Sequence, residues 1–222
     1  MAGNQSAGVI SPRLSPELLL RAYAAGVFPM AGHRADPEVF WVDPPRRGVL
    51  PLDGVHISRS LARRMRRGGY GVTLDADFAG VLDACADRPE TWISTAIRAA
   101  YLALHGRGHA HSLEVWQDGA LAGGVYGVTI GRAFFGESMV SPRTDGSKRA
   151  LAHLCDHLRR CGFTLFDTQF LTDHLARLGA VEIARAEYHA RLADALSGGS
   201  DITALSLEQN PSQVVQRMTQ IS

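Results

Sequence analysis

The spacing of apolar residues along the chain switches repeatedly between a helical and an extended period. After Ser15, leucines and Tyr23 recur at helical spacing, and a hydroxyl residue followed by Pro16 is a typical helix start. This pattern predicts a first helix that stops at Gly26. Equivalent patterns predict further helices over residues 57–67, 78–86, 91–104, 145–160 and 185–196, with one more from about residue 172.

Runs with a period of two residues predict strands, and they flank one strong turn signal. The strands are expected over residues 39–42, 70–74, 113–116, 121–130, 133–139 and 163–168. Asp118-Gly119 lies between two of these runs and predicts a hairpin. A three-stranded meander followed by a helix, a strand and further helices predicts an α+β fold, with a mixed, mainly antiparallel sheet flanked by helices.

The order of the predicted elements divides the chain into three segments. We expect a small N-terminal domain over residues 1–46, of which the first 14 residues look flexible. A larger domain is expected over residues 47–197. Residues 198–222 are polar and are predicted to form a flexible C-terminal tail, apart from a possible short amphipathic turn at residues 214–218.

The composition excludes several classes of protein. Of the 222 residues, 45% are apolar and 20% are charged, which is enough for a buried core. No apolar run approaches the roughly 18 to 20 residues that span a bilayer, and no signal peptide is visible. The three cysteines are expected to be reduced thiols of a cytoplasmic protein. No metal site is predicted, because His105, His109 and His111 lack the spacing of zinc hydrolases.

Positive charge is concentrated in one predicted helix, although the net charge is only +1. Five arginines fall within nine residues with no acid between them: Arg59, Arg63, Arg64, Arg66 and Arg67. Such a cluster could neutralise several nucleic-acid phosphates. An ordinary solvated helix face explains the same pattern equally well.

Polar residues at the ends of two predicted strands are the best candidates for chemistry. Glu137 ends one strand in an apolar setting, where a carboxylate is costly unless it is paired. Asp167 and Gln169 lie two positions apart on another strand, so we expect them on one face, beside a cavity. A carboxylate held by loop amides and a purely structural hydrogen-bond pair are the alternative explanations.

Six apolar side chains could line a pocket beside these polar groups: Trp92, Val125, Phe134, Met139, Leu154 and Phe166. Ordinary core packing is the competing explanation for all six. The loop from Arg143 to Lys148 also resembles the pyrophosphate loop of acetyltransferases, but Lys148 occupies its last small position. An acyl-CoA-dependent N-acetyltransferase and a non-catalytic tRNA-binding module therefore stay open as alternatives.

Taken together, many short stretches resemble the leucyl/phenylalanyl-tRNA–protein transferase family, from about residue 18 to residue 196. They include Ala24-Ala25-Gly26-Val27-Phe28-Pro29, His56-Ile57-Ser58-Arg59-Ser60-Leu61, Thr91-Trp92-Ile93, Gly108-His109-Ala110-His111-Ser112-Leu113-Glu114-Val115-Trp116, Phe135-Gly136-Glu137-Ser138-Met139, Ser147-Lys148 and Asp167-Thr168-Gln169. The resemblance implies a small N-terminal domain followed by a domain folded like GNAT-type acyltransferases. It also implies transfer of Leu or Phe, and by pocket shape of Met, from aminoacyl-tRNA to proteins that begin with Arg or Lys. Such transfer marks these proteins for N-end-rule degradation.

The resemblance also assigns roles to the candidate residues. It implies that Asp167 and Gln169 are the catalytic pair and that Glu137 lines the site. The six apolar residues named above match positions around the amino-acid side chain or the terminal adenosine. The arginine-rich helix matches a region expected to contact the acceptor stem of the tRNA. No cofactor is expected, because an aminoacyl ester is already activated, and no membrane partner is expected.

Overall fold

The computed structural model describes residues 14–34, 36 and 39–220. The predicted flexible segment at the N-terminus lies outside the described residues up to residue 13. The helices are α1 (Pro16–Ala24), α2 (Arg59–Arg66), α3 (Phe78–Ala86), α4 (Thr95–His105), α5 (Gly146–Arg160), α6 (Asp173–Arg177), α7 (Arg185–Leu196) and α8 (Pro211–Thr219). The strands are β1 (Phe28–Met30), β2 (Phe40–Val42), β3 (Arg46–Val49), β4 (Gly71–Leu74), β5 (Ala110–Gln117), β6 (Ala120–Ile130), β7 (Ala133–Val140), β8 (Leu165–Gln169) and β9 (Val181–Ala184).

Local signals explain where α1 begins and ends. The Ser15 hydroxyl accepts a hydrogen bond from the Leu18 amide at 3.2 Å, and Pro16 occupies the first turn. Gly26 follows the helix with a φ of 81°, a conformation that glycine adopts at little cost. The chain then forms β1, which pairs antiparallel with β2 in a separate two-stranded sheet. The predicted first helix is therefore confirmed.

A seven-stranded sheet organises the remaining chain, in the order β4-β5-β6-β7-β8-β3-β9. All neighbouring pairs are antiparallel except β7 and β8, which are parallel. The predicted α+β fold with a mixed, mainly antiparallel sheet flanked by helices is confirmed. In the β5–β6 hairpin, Asp118 and Gly119 have φ values of 52° and 73°, as the predicted tight turn requires.

Two apolar clusters lie on opposite faces of this sheet, because successive strand residues point to opposite sides. On β7 and β8, Phe134 and Phe166 join one cluster, whereas Phe135 and Leu165 join the other. The first cluster is covered by α2, α5 and α8, and the second by α1, α3, α4 and α7.

The short strands β1, β3 and β9 were not predicted, and two further predictions differ from the structure. The helix predicted over residues 91–104 begins only at Thr95, because the Ser94 hydroxyl caps it by accepting from the Ile97 amide; Trp92 is therefore not helical. The predicted flexible tail is instead ordered over much of its length. Helix α8 buries Val214 and Val215 against α5, as the amphipathic spacing there permits. In the described part of the chain, no helix is long and apolar enough to cross a membrane.

Candidate active site

A cavity of about 540 Å³ opens where β7 and β8 end. The two strands are parallel, so their C-terminal ends meet at the same edge of the sheet. Five of the sequence-predicted site residues line this cavity: Trp92, Val125, Glu137, Met139 and Phe166. Leu151 and Leu175 extend its apolar wall. Strand ends are common positions for sites, because rigid elements hold their side chains there.

Glu137 is the one acid among the described residues that line the cavity, and it is 8% exposed. Its carboxylate accepts hydrogen bonds from the hydroxyls of Tyr23 and Tyr101, each at 2.7 Å, and from the side-chain amide of Gln169 at 3.0 Å. Burial raises the pKa of Glu137 to about 7, more than these hydrogen bonds lower it. A carboxyl group with a pKa near neutrality can hold or release a proton under physiological conditions.

The two tyrosines support Glu137 from the helices beneath the sheet. Tyr23 belongs to α1 and Tyr101 to α4, and their hydroxyl oxygens are 2.5 Å apart. Burial raises the pKa of both tyrosines well above 10, so their hydroxyls remain protonated donors. Sequence reasoning missed both residues. The sequence did place a tyrosine on the apolar face of each helix. Because a buried tyrosine hydroxyl usually has a polar partner, this position indicates a buried polar group nearby.

The structure places Asp167 differently from the prediction. Its side chain is fully buried and does not line the cavity. It forms a two-point ion pair with the Arg47 guanidinium, at 2.9 and 2.6 Å, and it accepts from the Tyr188 hydroxyl at 2.8 Å. The expectation that Asp167 and Gln169 both line the cavity is therefore wrong for Asp167, and Gln169 is also absent from the lining, although its side chain reaches the Glu137 carboxylate. A buried carboxylate needs a partner, and Asp167 finds it in Arg47 rather than in the cavity.

Gln169 is connected to both acids, and its backbone explains how. Its φ is 64°, a left-handed conformation that breaks the strand alternation on which the same-face expectation depended. Its amide N–H donates to Asp167 at 2.8 Å, while its side chain reaches Glu137. Asp167 thus contacts the backbone of Gln169, and Gln169 contacts the carboxylate in the cavity wall.

Arg47 is the third functional candidate that sequence reasoning missed. It is fully buried on β3, with its guanidinium between the rings of Phe28 and Tyr188, 4.6 and 4.3 Å from their centroids. It also donates to the carbonyl of Gly26 at 2.9 Å. The sequence did contain an indication of this role, because Arg47 directly precedes the residues of β3 that pair with β8. An unpaired acid on a buried strand demands such a cation.

Phe134 and Leu154 do not line the cavity. Both are 1% exposed in the core cluster beneath it. The Phe134 ring packs edge-on against Phe166, with the centroids 4.9 Å apart, so it supports a residue of the cavity wall. The core-packing alternative therefore holds for these two residues.

The arginine-rich segment forms α2 and its end, and most of its charges face solvent. Arg59, Arg63, Arg66 and Arg67 are exposed, while Leu61, Ala62 and Met65 are buried on the other face. Arg64 differs, because its Nε lies 2.6 Å from the Asp145 carboxylate. The cluster is therefore a cationic surface with one member already paired.

Comparisons with known proteins agree over nearly the whole chain. The model of the family described as leucyl/phenylalanyl-tRNA protein transferase matches residues 49–193, and the model of that family's N-terminal domain matches residues 13–45. A leucyl/phenylalanyl-tRNA–protein transferase of Ruegeria pomeroyi is 69% identical over 209 residues, covering 94% of this chain and 99% of that protein. One from Cereibacter sphaeroides is 63% identical over 211 residues, covering 95% and 99%. Among solved structures, FemX aligns with a TM-score of 0.49 at 12% identity, over 76% of this chain and 66% of that one.

Proposed function

The chain belongs to the leucyl/phenylalanyl-tRNA–protein transferase family, and from that premise we propose how its cavity performs aminoacyl transfer. The substrates are leucyl- or phenylalanyl-tRNA, with methionyl-tRNA as a weaker donor, and proteins whose first residue is Arg or Lys. The product is a lengthened N-terminus that marks the protein for N-end-rule degradation in the cytoplasm. The observation that supports this most directly is the buried Glu137 carboxylate in the cavity wall, held by the hydroxyls of Tyr23 and Tyr101 and by the side-chain amide of Gln169.

The donor side chain occupies the apolar part of the cavity. Val125, Met139, Leu151 and Phe166 provide an apolar wall, and we propose that this wall admits a side chain with a CH₂ group at Cβ. Leucine, phenylalanine and methionine share that feature, whereas valine and isoleucine branch there. A single methylene is worth only about 1–3 kcal/mol in such a pocket. Some transfer of other unbranched apolar residues is therefore expected.

The reaction replaces an ester by an amide. The neutral N-terminal amine of the acceptor, whose pKa is about 8, attacks the ester carbonyl carbon. A C–N bond forms, the C–O bond to the tRNA ribose breaks, and the ribose oxygen receives a proton. The ionised Glu137 carboxylate is placed to accept the proton that the amine loses, because it is the acid in the cavity wall. The same group can return that proton to the leaving ribose oxygen.

Gln169 and Asp167 orient the reacting groups and do not transfer protons themselves. The Gln169 side-chain amide donates to Glu137, which leaves its carbonyl oxygen to accept from the incoming amine. Asp167 acts through Gln169, because it holds the backbone amide of that residue and does not reach the cavity. Alignment of two bound reactants can contribute on the order of 7–11 kcal/mol to catalysis.

The direct test is transfer of radiolabelled leucine from charged tRNA to a peptide that begins with Arg. An otherwise identical peptide that begins with Ala is the matched control. We expect incorporation into the Arg peptide and little into the Ala peptide. Acetylation of the peptide from acetyl-CoA would favour the N-acetyltransferase alternative, and tRNA binding without any transfer would favour a non-catalytic module.

The exposed arginines of α2 are proposed to bind the acceptor stem. Replacing Arg63, Arg66 and Arg67 by Gln should weaken tRNA binding and flatten its dependence on salt. The slope of log Kd against log salt concentration should fall by about 0.9 for each phosphate that the variant no longer neutralises. Arg191→Gln on α7 is the control for loss of an exposed arginine elsewhere, since α7 lies on the other sheet face; it is compared with each of the single variants Arg63→Gln, Arg66→Gln and Arg67→Gln. An unchanged slope in the triple variant would return these residues to the role of a solvated helix face.

A further inference from the structure

The Asp167 carboxylate has all of its hydrogen-bonding positions occupied. An ionised carboxylate offers about four lone-pair positions to donors. One oxygen accepts from Nε of Arg47 at 2.9 Å and from the backbone amide of Gln169 at 2.8 Å. The other accepts from Nη2 of Arg47 at 2.6 Å and from the Tyr188 hydroxyl at 2.8 Å. Asp167 therefore influences the cavity only through the residues to which it is bonded.

Gln169 is the residue through which that influence reaches the cavity. Its φ of 64° is left-handed, a conformation that a residue with a Cβ adopts only at a cost. The Asp167 side chain bonds the amide two residues further along the chain, as in an Asx turn, and so stabilises this conformation. The same conformation brings the Gln169 side chain to Glu137 at 3.0 Å. The placement of that side chain therefore depends on how the Asp167 carboxylate is oriented.

Arg47 determines this orientation. A guanidinium that binds both oxygens of a carboxylate fixes the plane of the carboxylate as well as its position. Arg47 is itself held on several sides, because it is fully buried and its guanidinium lies between the rings of Phe28 and Tyr188. Its Nη1 donates to the Gly26 carbonyl at 2.9 Å, directly after α1. The guanidinium is therefore fixed by residues that precede β3 and by residues of α7.

We propose that Arg47, together with Tyr188, is a positioning residue for aminoacyl transfer, acting through Asp167 on the backbone and side chain of Gln169. Since this role rests on the proposed function, it concerns the orientation of the incoming amine by Gln169. Lysine cannot substitute for Arg47 in it, because an ammonium group supplies the charge but not the planar fork. In Arg47→Lys the charge of Asp167 stays compensated, while its carboxylate becomes free to turn.

The first measurement is steady-state transfer of leucine from leucyl-tRNA to a peptide that begins with Arg. Arg47→Lys should lower kcat by about ten- to hundredfold, the effect of misplacing a reacting group by about 1 Å. Its KM for leucyl-tRNA should stay close to that of the unmodified protein, since the cavity wall and the exposed arginines of α2 are unchanged. Tyr188→Phe removes a single donor to Asp167 and should lower kcat by roughly two- to tenfold.

A double-mutant cycle tests the route through Gln169. Gln169→Ala removes the side chain that Arg47 is proposed to position, so adding Arg47→Lys to it should lower kcat little further. Two residues that act independently would instead give effects that multiply. If thermal unfolding shows that Arg47→Lys does not fold, the same cycle with Tyr188→Phe replaces it.

Arg217→Lys is the matched control for loosening a two-point ion pair. Arg217 binds both oxygens of the buried Asp156, at 2.7 and 2.8 Å, and joins α8 to α5 away from the cavity lining. This variant should lower the thermal unfolding temperature while kcat is retained.

Three results would overturn the inference. They are an unaltered kcat in folded Arg47→Lys and Tyr188→Phe, effects that multiply in the double variant, and a fall in kcat in Arg217→Lys as large as that in Arg47→Lys. Failure of the proposed function differs from all three, because the unmodified protein would then transfer no leucine.

Discussion

Replacing Glu137 by Gln should make the protein more stable at alkaline pH while reducing transfer. The substitution keeps the size of the side chain and its ability to accept hydrogen bonds from Tyr23 and Gln169. The new amide nitrogen can donate to the Tyr101 hydroxyl, which lies 2.7 Å from the present carboxylate. What the substitution removes is a charge that the folded protein must bury whenever the carboxyl group ionises.

The magnitude follows from the pKa of Glu137. It rises from 4.5 to about 7 on folding, and a difference of one in pKa corresponds to about 1.4 kcal/mol between protonation states. Ionising Glu137 therefore costs about 3 kcal/mol more in the folded protein than in the unfolded chain. Because the pKa of Glu137 is higher in the folded protein than in the unfolded chain, the contribution of Glu137 to the free energy of unfolding is complete below pH 4.5. This contribution is lost as the pH rises through about 7.

The assay is urea unfolding of the unmodified protein and of Glu137→Gln at several pH values from about 5 to 8.5. The two free energies of unfolding should diverge with rising pH. Over that range, the free energy of unfolding of the variant should rise by about 2–3 kcal/mol relative to that of the unmodified protein. At each pH, the difference between the two free energies of unfolding does not contain the effect of other titrating groups, because both proteins share them. A packing change unrelated to charge shifts this difference by the same amount at every pH. Curves that stay parallel would show that Glu137 is not an acid of raised pKa. Transfer by the variant should be slower at every pH.

The remaining predictions concern the buried ion pair and one close backbone contact. Asp167→Ala should lower the free energy of unfolding by about 3–5 kcal/mol, because Arg47 then carries an uncompensated buried charge. The double variant Arg47→Met, Asp167→Leu should recover stability, measured by urea unfolding, but not transfer. Gly123→Ala should lower Tm, because its Cβ would overlap the backbone of Gly146 at the start of α5. Gly71→Ala is the matched strand control, since its Cβ meets nothing within 4 Å.

The positions of most helices and strands were predictable from the sequence because their signals are local. A cap, an apolar period and a terminating glycine act within a few residues, so α1, α3 and α7 begin and end close to where the sequence indicates. The start of α4 was predicted too early, because Thr91 and Ser94 are both acceptable caps and packing decides between them. The residues of α8 were predicted to be mostly flexible. A short amphipathic segment forms a stable helix only when it has a surface to pack against, and the sequence does not show that surface.

The cavity residues were predicted in part. Trp92, Val125, Met139 and Phe166 line the cavity, but the same kinds of residue, Phe134 and Leu154, lie in the core beneath it. Sequence composition does not distinguish the last layer of a core from the wall of a cavity, because both are apolar.

The sequence by itself determined the family, the two strands at whose ends Glu137 and Gln169 lie, and the cationic face of α2. Only the tertiary structure decided that Asp167 faces Arg47, and that Tyr23 and Tyr101 converge on Glu137. The physical reason is distance along the chain. Capping and periodicity are set by neighbours, whereas the pKa of a carboxyl group is set by whichever residues burial brings against it, here 114 and 36 positions away.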